Sequence, residues 1–210
     1  MRALILAGGK LVISKQIIEL AKSAELIIAA DSGLKYAQQL NISPEIIIGD
    51  FDSVQKTILD KYPNIQKLSY PKTKDKLDLE LAIDYAIKQN AREIIVLAAT
   101  GGRLDQTMAA IVIAARLSKK TKISLHSGVQ DVFFANGPKN ISLNLEKGQT
   151  FSLLSLGLGS SLSLMGAEYN LNTYQLDFGT GVGISNIATS PPIEIDLHSG
   201  QIVVIVEYDI

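Results

Sequence analysis

The sequence predicts an α/β domain followed by an all-β domain: an N-terminal Rossmann-like, doubly wound parallel sheet and a C-terminal antiparallel β-sandwich. Two observations favour this architecture. Up to about residue 120, short apolar runs alternate with amphipathic helical segments, as in parallel sheets assembled from strand–helix–strand units. Beyond that residue the helical periodicity disappears, and short β-like runs alternate with turn residues. We place the boundary at residue 137, which gives domains 1–137 and 138–210.

The elements of the first domain follow from local patterns. The clearest helix is 77–90, where apolar residues recur with the spacing i, i+3, i+4, i+7 from Leu79 onward. Ser14 is a suitable cap for the first helix, and Asn41 closes the second. The predicted strands are 3–7, 26–30, 46–48, 65–69 and 93–98, and the predicted helices are 13–23, 34–40, 54–61, 77–90 and 106–117.

The second domain is predicted from short runs separated by turns. We expect turns at Asn136-Gly137-Pro138, Glu146-Lys147-Gly148 and Ser199-Gly200. The Gly/Ser-rich run 156–163 is interpreted as an edge of the sandwich. The predicted strands from residue 120 onward are 122–126, 131–135, 141–145, 150–154, 161–165, 173–177, 193–198 and 201–208. The first two lie before the boundary at residue 137, and one or both are candidates for the α/β sheet.

The composition limits the classes of function. With a net charge of −1 the chain has no basic excess, so we expect no nucleic-acid partner. No apolar run reaches the length of a membrane span, so we expect no membrane partner. The chain has no cysteine, which excludes disulfides and thiolate chemistry and fits a cytoplasmic location. The two histidines, His126 and His198, lie in strand-like sequence and are expected to be structural.

The strongest chemical signal is the stretch Glu45-Ile46-Ile47-Ile48-Gly49-Asp50-Phe51-Asp52-Ser53. It predicts a buried strand that ends in two carboxylates, Asp50 and Asp52, on the same side of the chain. At ~6 Å and an effective dielectric constant of ~20 they would repel by roughly 3 kcal/mol, so a cation is expected between them. Clustered carboxylates near phosphates commonly hold Mg²⁺. The alternative is that Asp52-Ser53 only caps the next helix.

A second signal is Thr100-Gly101-Gly102-Arg103, followed closely by Asp105. Two glycines allow the backbone to approach a ligand, and the helix that follows offers free N–H groups to a phosphate. Arg103 adds a planar fork that suits phosphate oxygens. The alternative is a glycine turn with a surface Arg–Asp pair. The segment matches neither the P-loop nor the dinucleotide-binding signature.

A third signal mixes lysines and aspartates just before helix 77–90. Such a mixture suits a site that holds phosphates and a metal together. Taken alone, however, the segment is better explained as a helix start, with Asp75 as the cap and with Asp78 and Glu80 near the positive end of the helix dipole. Four aspartates near the predicted strand ends, however, exceed what capping needs: Asp50, Asp52, Asp78 and Asp105. The charged residues of the third signal are Lys72, Lys74, Asp75, Lys76 and Asp78.

These segments, in this order, resemble the thiamine pyrophosphokinase family. The resemblance covers nearly the whole chain and is most specific in the Gly-Asp-Phe-Asp-Ser and Gly-Gly-Arg-x-Asp pieces. The segments that carry it are Ala30-Asp31-Ser32-Gly33, Ile48-Gly49-Asp50-Phe51-Asp52-Ser53, Lys74-Asp75-Lys76-Leu77-Asp78-Leu79-Glu80, Thr100-Gly101-Gly102-Arg103-Leu104-Asp105-Gln106, Gly166-Ala167-Glu168-Tyr169-Asn170-Leu171 and Gly183-Ile184-Ser185-Asn186.

The resemblance implies transfer of a diphosphate from ATP to the hydroxyl of thiamine, giving thiamine diphosphate and AMP. It implies ATP as co-substrate, Mg²⁺ as cofactor, and a homodimer with sites between subunits. The catalytic residues implied are Asp50, Asp52, Asp78, Arg103 and Asp105, of which the metal ligands are Asp50, Asp52 and Asp78. The ATP-binding residues implied are Asp31, Lys76, Thr100, Gly102 and Arg103. The thiamine-side residues implied are Gln106, Ser185, Asn186 and, from the partner subunit, Tyr169.

Two other functions remain open. The first is a diphosphokinase for another alcohol, such as a hydroxymethylpterin, because the thiamine-side segments decide the acceptor. The second is a catalytically inactive nucleotide-binding sensor. It is suggested by Leu77, which stands where the family commonly has Thr, and which removes a potential oxygen ligand beside Asp78.

Overall fold

The computed structural model describes residues 1–52, 54, 56–70 and 75–208, in two compact units, Met1–Gly128 and Val129–Ile210. The division falls nine residues before the boundary placed at residue 137, because the strand that starts at Gln130 pairs within the second unit. The sequence interpretations that involve Ser53, Lys72 and Lys74 lie outside the described residues.

The first unit contains a six-stranded sheet in which all neighbours are parallel. Its strands are β1 Arg2–Leu6, β2 Leu26–Ala30, β3 Ile46–Gly49, β4 Gln66–Ser69, β5 Glu93–Leu97 and β6 Lys122–His126. The order β6-β5-β1-β2-β3-β4 reverses direction beside β1, since the chain steps outward from β1 to β4 and resumes with β5 on the other side of β1. The carboxyl ends of β1 and β5 are therefore the place where a doubly wound sheet binds its ligand. The predicted parallel sheet is confirmed.

The described residues of this unit form five α-helices. They are α1 Lys15–Lys22, α2 Leu34–Leu40, α3 Lys56–Leu59, α4 Asp78–Lys88 and α5 Leu104–Leu117, with one 3₁₀ turn at Asp31–Gly33. The Ser14 hydroxyl caps α1 by accepting a hydrogen bond from the backbone N–H of Ile17 at 3.2 Å. Asn41 ends α2 in the left-handed conformation, with φ of 52°. Asp75 is not the cap of α4, because Leu77 occupies that position.

Apart from the exposed edge strand β4, the sheet is buried on both faces, which explains the apolar runs of its other strands. Consecutive residues of β1, such as Leu4 and Ile5, point to opposite faces and are both fully buried. Leu4 belongs to a core cluster that includes Ile17 of α1 and Leu34 of α2, whereas α4 packs against β1, β2 and β3. Each such side chain contributes about 1.5–3 kcal/mol of transfer free energy. The core thereby fixes the strand ends on which the candidate site is built.

The second unit is built entirely from antiparallel pairs. Its strands are β7 Gln130–Asn136, β8 Lys139–Leu143, β9 Thr150–Met165, β10 Leu171–Leu176, β11 Asn186–Ile187 and β12 Ile193–Glu207. They run in the order β10-β9-β12-β7, with β11 paired to β9 and β8 paired to β12. Inward residues such as Phe151, Leu162 and Ile195 form its core. The predicted all-β second domain is confirmed.

One predicted turn in this unit is wrong. Ser199-Gly200 does not separate two strands but lies inside the single strand β12, and the predicted strands 150–154 and 161–165 likewise merge into β9. The pairing between β9 and β12 shifts register on both sides of Ser199. Gly200, with φ of 87°, accommodates that irregularity where a side chain would be strained. A glycine that allows a β-bulge has the same sequence signature as one that forms a turn.

Among the described residues, no helix has both the length and the apolarity needed to cross a membrane.

Candidate active site

A cavity of about 600 Å³ opens in the first unit at the carboxyl ends of β1, β2 and β5. Segments 7–10 and 98–103, which follow β1 and β5, line it together with residues 30–32 and 77–79. The cavity thus lies at the point where the strand order reverses. Its position is set by the topology of the sheet and agrees with the expectation for this architecture.

One wall is formed by Gly8 and Gly9, directly after β1. The backbone N–H of Gly9 donates to the Ala98 carbonyl at 2.7 Å, and that of Lys10 donates to the Thr100 carbonyl at 2.9 Å. A Cβ atom at Gly9 would lie 2.5 Å from Thr100 O and 2.6 Å from Ala98 O. Only glycine therefore lets this wall sit so close to the chain that leaves β5.

The adjoining wall is the predicted phosphate-binding segment, Thr100 to Arg103, which leads into α5. Gly101 has φ of 73°, a conformation that favours glycine. A Cβ atom at Gly102 would meet nothing within 4 Å, so its backbone is open to a ligand. The N-cap residue of α5, Arg103, makes no capping hydrogen bond with its side chain. The Asp105 carboxylate accepts from the backbone N–H groups of Asp105 and Gln106, and the helix dipole favours an anion at this end of the cavity.

Two of the predicted carboxylates, Asp31 and Asp78, come together beside Gly49 at the end of β3. A Cβ atom at Gly49 would lie 3.0 Å from Cβ of Asp31 and 3.3 Å from Oδ1 of Asp78. Both aspartates line the cavity. Gly49 is thus a cradle for these acidic side chains, and its missing side chain keeps the space next to the Asp78 oxygen open.

Asp50 and Asp52 do not line this cavity. Phe51 lies in the left-handed region with φ of 65°, which interrupts the extended alternation assumed for the strand end. Oδ1 of Asp50 accepts a hydrogen bond from the backbone N–H of Asp52 at 3.1 Å, as in a local Asp turn. In the described part of the chain, no three histidine, cysteine or acidic residues lie close enough together to hold a metal ion.

The donor chemistry nevertheless fits a hard divalent cation. The available atoms are carboxylate oxygens, which Mg²⁺ prefers, and one of them, Oδ1 of Asp78, lies at the cradle of Gly49. Mutual repulsion favours separation of the carboxylates when no cation lies between them. The assignment of Asp50, Asp52 and Asp78 as metal ligands stays a prediction.

Arg103 and Asp105 form a bidentate ion pair on the surface next to the cavity. Nε of Arg103 donates to Oδ1 at 3.1 Å, and Nη2 donates to Oδ2 at 2.5 Å. The hydrogen bonds from Arg103 hold the pKa of the Asp105 carboxyl below its ordinary value. A carboxylate with a lowered pKa is a weaker base, so Asp105 is better suited to orient Arg103 than to accept a proton.

Lys76 makes contacts that point away from its predicted role on the ATP side. Its ammonium donates to Oδ2 of Asp84 at 2.6 Å and lies 3.7 Å from Oε1 of Glu80. Arg116 of α5 donates to the same Glu80 oxygen at 2.7 Å. The hydrogen bond to Asp84 raises the pKa of Lys76. The lysine is part of an ion-pair network on α4 and α5 and does not line the cavity.

In the second unit, Asn186 holds the backbone of Tyr169 in place. The Asn186 side chain is buried; its Oδ1 accepts from Tyr169 N at 3.1 Å, and its Nδ2 donates to Tyr169 O at 2.8 Å. The Tyr169 ring is 63% exposed and available to a ligand. Ser185 is also exposed, and its backbone N–H donates to the Ser152 hydroxyl at 3.0 Å. These contacts give Asn186 a positioning role.

The two hydrogen bonds by which Asn186 clamps the backbone of Tyr169 lead to a stability prediction. Asn186→Ala leaves the backbone N–H and carbonyl of Tyr169 without their partners, and we expect a loss of about 1–3 kcal/mol in the free energy of unfolding. Urea denaturation measures it. The exposed Asn144 provides the control, since Asn144→Ala should change the same free energy by no more than about 0.5 kcal/mol. Equal effects of the two substitutions would contradict a clamping role.

The structure brings six predicted residues to the cavity and leaves four of the first unit outside its lining. Those that line it are Asp31, Asp78, Thr100, Gly102, Arg103 and Gln106. Those that do not are Asp50, Asp52, Lys76 and Asp105. The sequence reasoning missed Lys10 and Lys35, which also line the cavity. The available signal for Lys10 was the Gly8-Gly9 pair before it, directly after the predicted strand 3–7.

Comparisons with known proteins agree with this arrangement. Residues 17–126 match the family model described as thiamin pyrophosphokinase, catalytic domain. Residues 139–202 match the model described as thiamin pyrophosphokinase, vitamin B1 binding domain. The two matches follow the same order as the two units and together span most of the chain.

The chain belongs to the thiamin pyrophosphokinase family.

Individual relatives support the same conclusion. Thiamin pyrophosphokinase 1 of Caenorhabditis elegans is 27% identical over 171 residues, which cover 76% of this chain and 68% of that protein. Thiamine pyrophosphokinase of Bacillus subtilis is 27% identical over 191 residues, or 87% of each chain. The crystal structure of the Bacillus subtilis enzyme superposes with a TM-score of 0.88 at 24% identity and covers the whole of both chains, which shows a shared fold. The family is one of enzymes, and the predicted fold and family are confirmed.

Proposed function

We propose that this chain transfers a diphosphate group from ATP to the hydroxyl of thiamine, producing thiamine diphosphate and AMP. The observation that carries the proposal is the cavity at the point where the strand order of the sheet reverses. Much of its lining comes from the segments by which the sequence resembles the family, and this lining combines the N-terminus of α5 with carboxylates. A triphosphate with a cation requires that combination.

The reaction needs little covalent chemistry from the protein. The thiamine hydroxyl oxygen forms a bond to the β-phosphorus of ATP, the bond from that phosphorus to the α,β-bridging oxygen breaks, AMP leaves, and the hydroxyl proton is released. Catalysis is then mainly the positioning of the two substrates and the stabilisation of charge. The chain has no cysteine, and none of its residues that line the cavity is a histidine.

Specific residues are proposed for these tasks. The backbone of Gly102 and the N-terminus of α5 would bind phosphate oxygens, and Arg103 would hold the transferred group while Asp105 orients its guanidinium. Mg²⁺ would be held by Asp50, Asp52 and Asp78, and when bound it neutralises phosphate charge. Asp31 and Thr100 would contact ATP. Lys76 would reach ATP only after leaving Asp84.

The second unit is proposed to bind thiamine. Tyr169 would stack on the ring of thiamine, Ser185 would contact it, and Asn186 would fix Tyr169 in place. We propose that the active form is a homodimer in which Tyr169 reaches the site of the partner subunit, and that the enzyme acts in the cytoplasm. Gln106, which lines the cavity, would lie near the reacting hydroxyl.

The acceptor is tested by supplying ATP and Mg²⁺ with thiamine, with a hydroxymethylpterin, or with no alcohol, and by measuring AMP. The proposal predicts AMP only with thiamine. AMP formed only with the pterin would identify the pterin, and not thiamine, as the acceptor. ATP binding without AMP under any condition would indicate an inactive nucleotide-binding protein.

Tyr169 provides a test of the thiamine side. Because an aromatic contact to a cationic ring is worth roughly 1–2 kcal/mol, we expect Tyr169→Ala to raise the KM for thiamine about tenfold and to leave the KM for ATP nearly unchanged. Steady-state kinetics with each substrate varied in turn measure this. Tyr169→Phe, which keeps the ring, should stay close to the unaltered chain. An unchanged thiamine KM in Tyr169→Ala would mean that the ring binds elsewhere.

A further inference from the structure

We propose that Lys10 and Lys35 bind the polyphosphate of the nucleotide and form a second cationic wall of the cavity in addition to Arg103. Both line the cavity, and neither belongs to the segments that carry the family resemblance. The inference rests on the proposed function only in taking ATP as the anion. It adds two binding residues to that site.

Lys10 is fixed at the cavity wall by its backbone. Its N–H donates to the Thr100 carbonyl at 2.9 Å, directly after the Gly8-Gly9 segment. Its Cβ lies 3.1 Å from the place where a side chain of Gly101 would begin. The start of the lysine side chain therefore packs beside Gly101, shortly before α5 begins.

Lys35 is held from two sides. Its ammonium donates to the Gly8 carbonyl at 3.3 Å and lies 4.8 Å from the centroid of the Tyr36 ring. Tyr36 is itself buried, and its hydroxyl donates to the Gly9 carbonyl at 2.6 Å. The cation is thus tied to the same two glycines that form the first wall. Such preorganisation lowers the entropy lost when a ligand is bound.

The charges around the cavity indicate that these cations are needed. Arg103 is largely neutralised by Asp105, and Asp31 and Asp78 add negative charge to the lining. A nucleoside triphosphate carries about four further negative charges near neutral pH. Neither Lys10 nor Lys35 forms an ion pair in the described part of the chain, in contrast with Lys76 and Lys122. Their charges are therefore available to an anion.

The test is calorimetric titration of the full chain with ATP, ADP and AMP in the absence of thiamine. For Lys10→Gln and for Lys35→Gln we expect the Kd of ATP to rise about tenfold, the usual effect of one lost charge-assisted contact. The effect should be smaller for ADP and within about twofold for AMP, because these nucleotides lack one or two of the phosphates that the lysines are proposed to bind. Lys35→Arg, which keeps the charge, should restore most of the ATP affinity.

Lys119 is the matched control, since it is exposed beyond the C-terminus of α5 and does not line the cavity. Lys119→Gln should leave all three affinities unchanged. If the unaltered chain binds ATP and the two glutamine variants bind it equally well, this inference is overturned while the proposed function stands. Equal losses for AMP, ADP and ATP would also overturn it, because they would reflect a change in the site as a whole. Failure of the unaltered chain to bind ATP would refute both.

Discussion

Asp78→Asn is expected to lower the rate of AMP formation by a factor of about a thousand or more, corresponding to roughly 4 kcal/mol in the activation free energy. Asp78 lines the cavity, and its Oδ1 lies at the cradle of Gly49, so the substitution removes a negatively charged oxygen from the proposed metal site. Steady-state kinetics at saturating ATP and thiamine measure this loss. Asp50→Asn is expected to have an effect of similar size.

The fold should survive the substitution. Asn is nearly isosteric with Asp, and the loss of one negative charge in the first turn of α4 costs at most about 1 kcal/mol of stability. Asp60, an exposed residue outside the cavity lining, provides the control: Asp60→Asn should keep full activity. Titration with Mn²⁺ followed by electron paramagnetic resonance should show weaker metal binding in Asp78→Asn. Activity within about threefold of the unaltered chain would remove Asp78 from the metal site.

Gly33→Ala should strongly lower the stability of the chain. Gly33 is buried, and a Cβ atom there would overlap the carbonyl oxygen of Leu6 at the end of β1. β1 cannot move to relieve this overlap, because it pairs with β2 on one side and with β5 on the other. We expect a loss of at least about 3 kcal/mol, typical of severe overpacking, and therefore a Tm lowered by roughly 6–12 °C for a chain of this size.

Thermal denaturation followed by circular dichroism measures this change. Gly181→Ala is the control, since a Cβ atom at Gly181 would meet nothing within 4 Å, and we expect its Tm to stay within about 2 °C. The residue that follows the 3₁₀ turn, Leu34, begins α2, so displacement of Gly33 should also disturb Lys35 and weaken ATP binding. A Tm for Gly33→Ala equal to that of the control would show that β1 can shift more than its pairing suggests.

Elements that depend on local sequence were predictable. The cap at Ser14, the left-handed ending at Asn41 and the limits of β2 and β6 each follow from signals within a few residues. In the second unit, by contrast, predicted separate strands join into the long strands β9 and β12, and this depends on pairing between distant segments. Whether Gly200 forms a turn or a bulge is decided by the register of β12 on β9, which a single segment does not encode.

The same distinction holds for the candidate site. That Asp78 and Arg103 would face one cavity follows from the rule that ligands bind beyond the carboxyl ends of parallel strands. The expected convergence of Asp50 and Asp52 assumed an extended chain, and the positive φ of Phe51 removed that basis. Lys35 could not be predicted, because a single lysine in a helix is ordinarily a solvated residue. Only the fold brings it to the carbonyl of Gly8.

The central claim is that the thiamine hydroxyl attacks the β-phosphorus of ATP. It is tested most directly with ATP that carries ¹⁸O in the α,β-bridging position, incubated with the protein, Mg²⁺ and thiamine, with the products resolved by mass spectrometry. Attack at the β-phosphorus leaves the bridging oxygen on the departing nucleotide, so the account predicts labelled AMP and unlabelled thiamine diphosphate in equal amounts. ADP with thiamine monophosphate, or AMP that lacks the label, would contradict it.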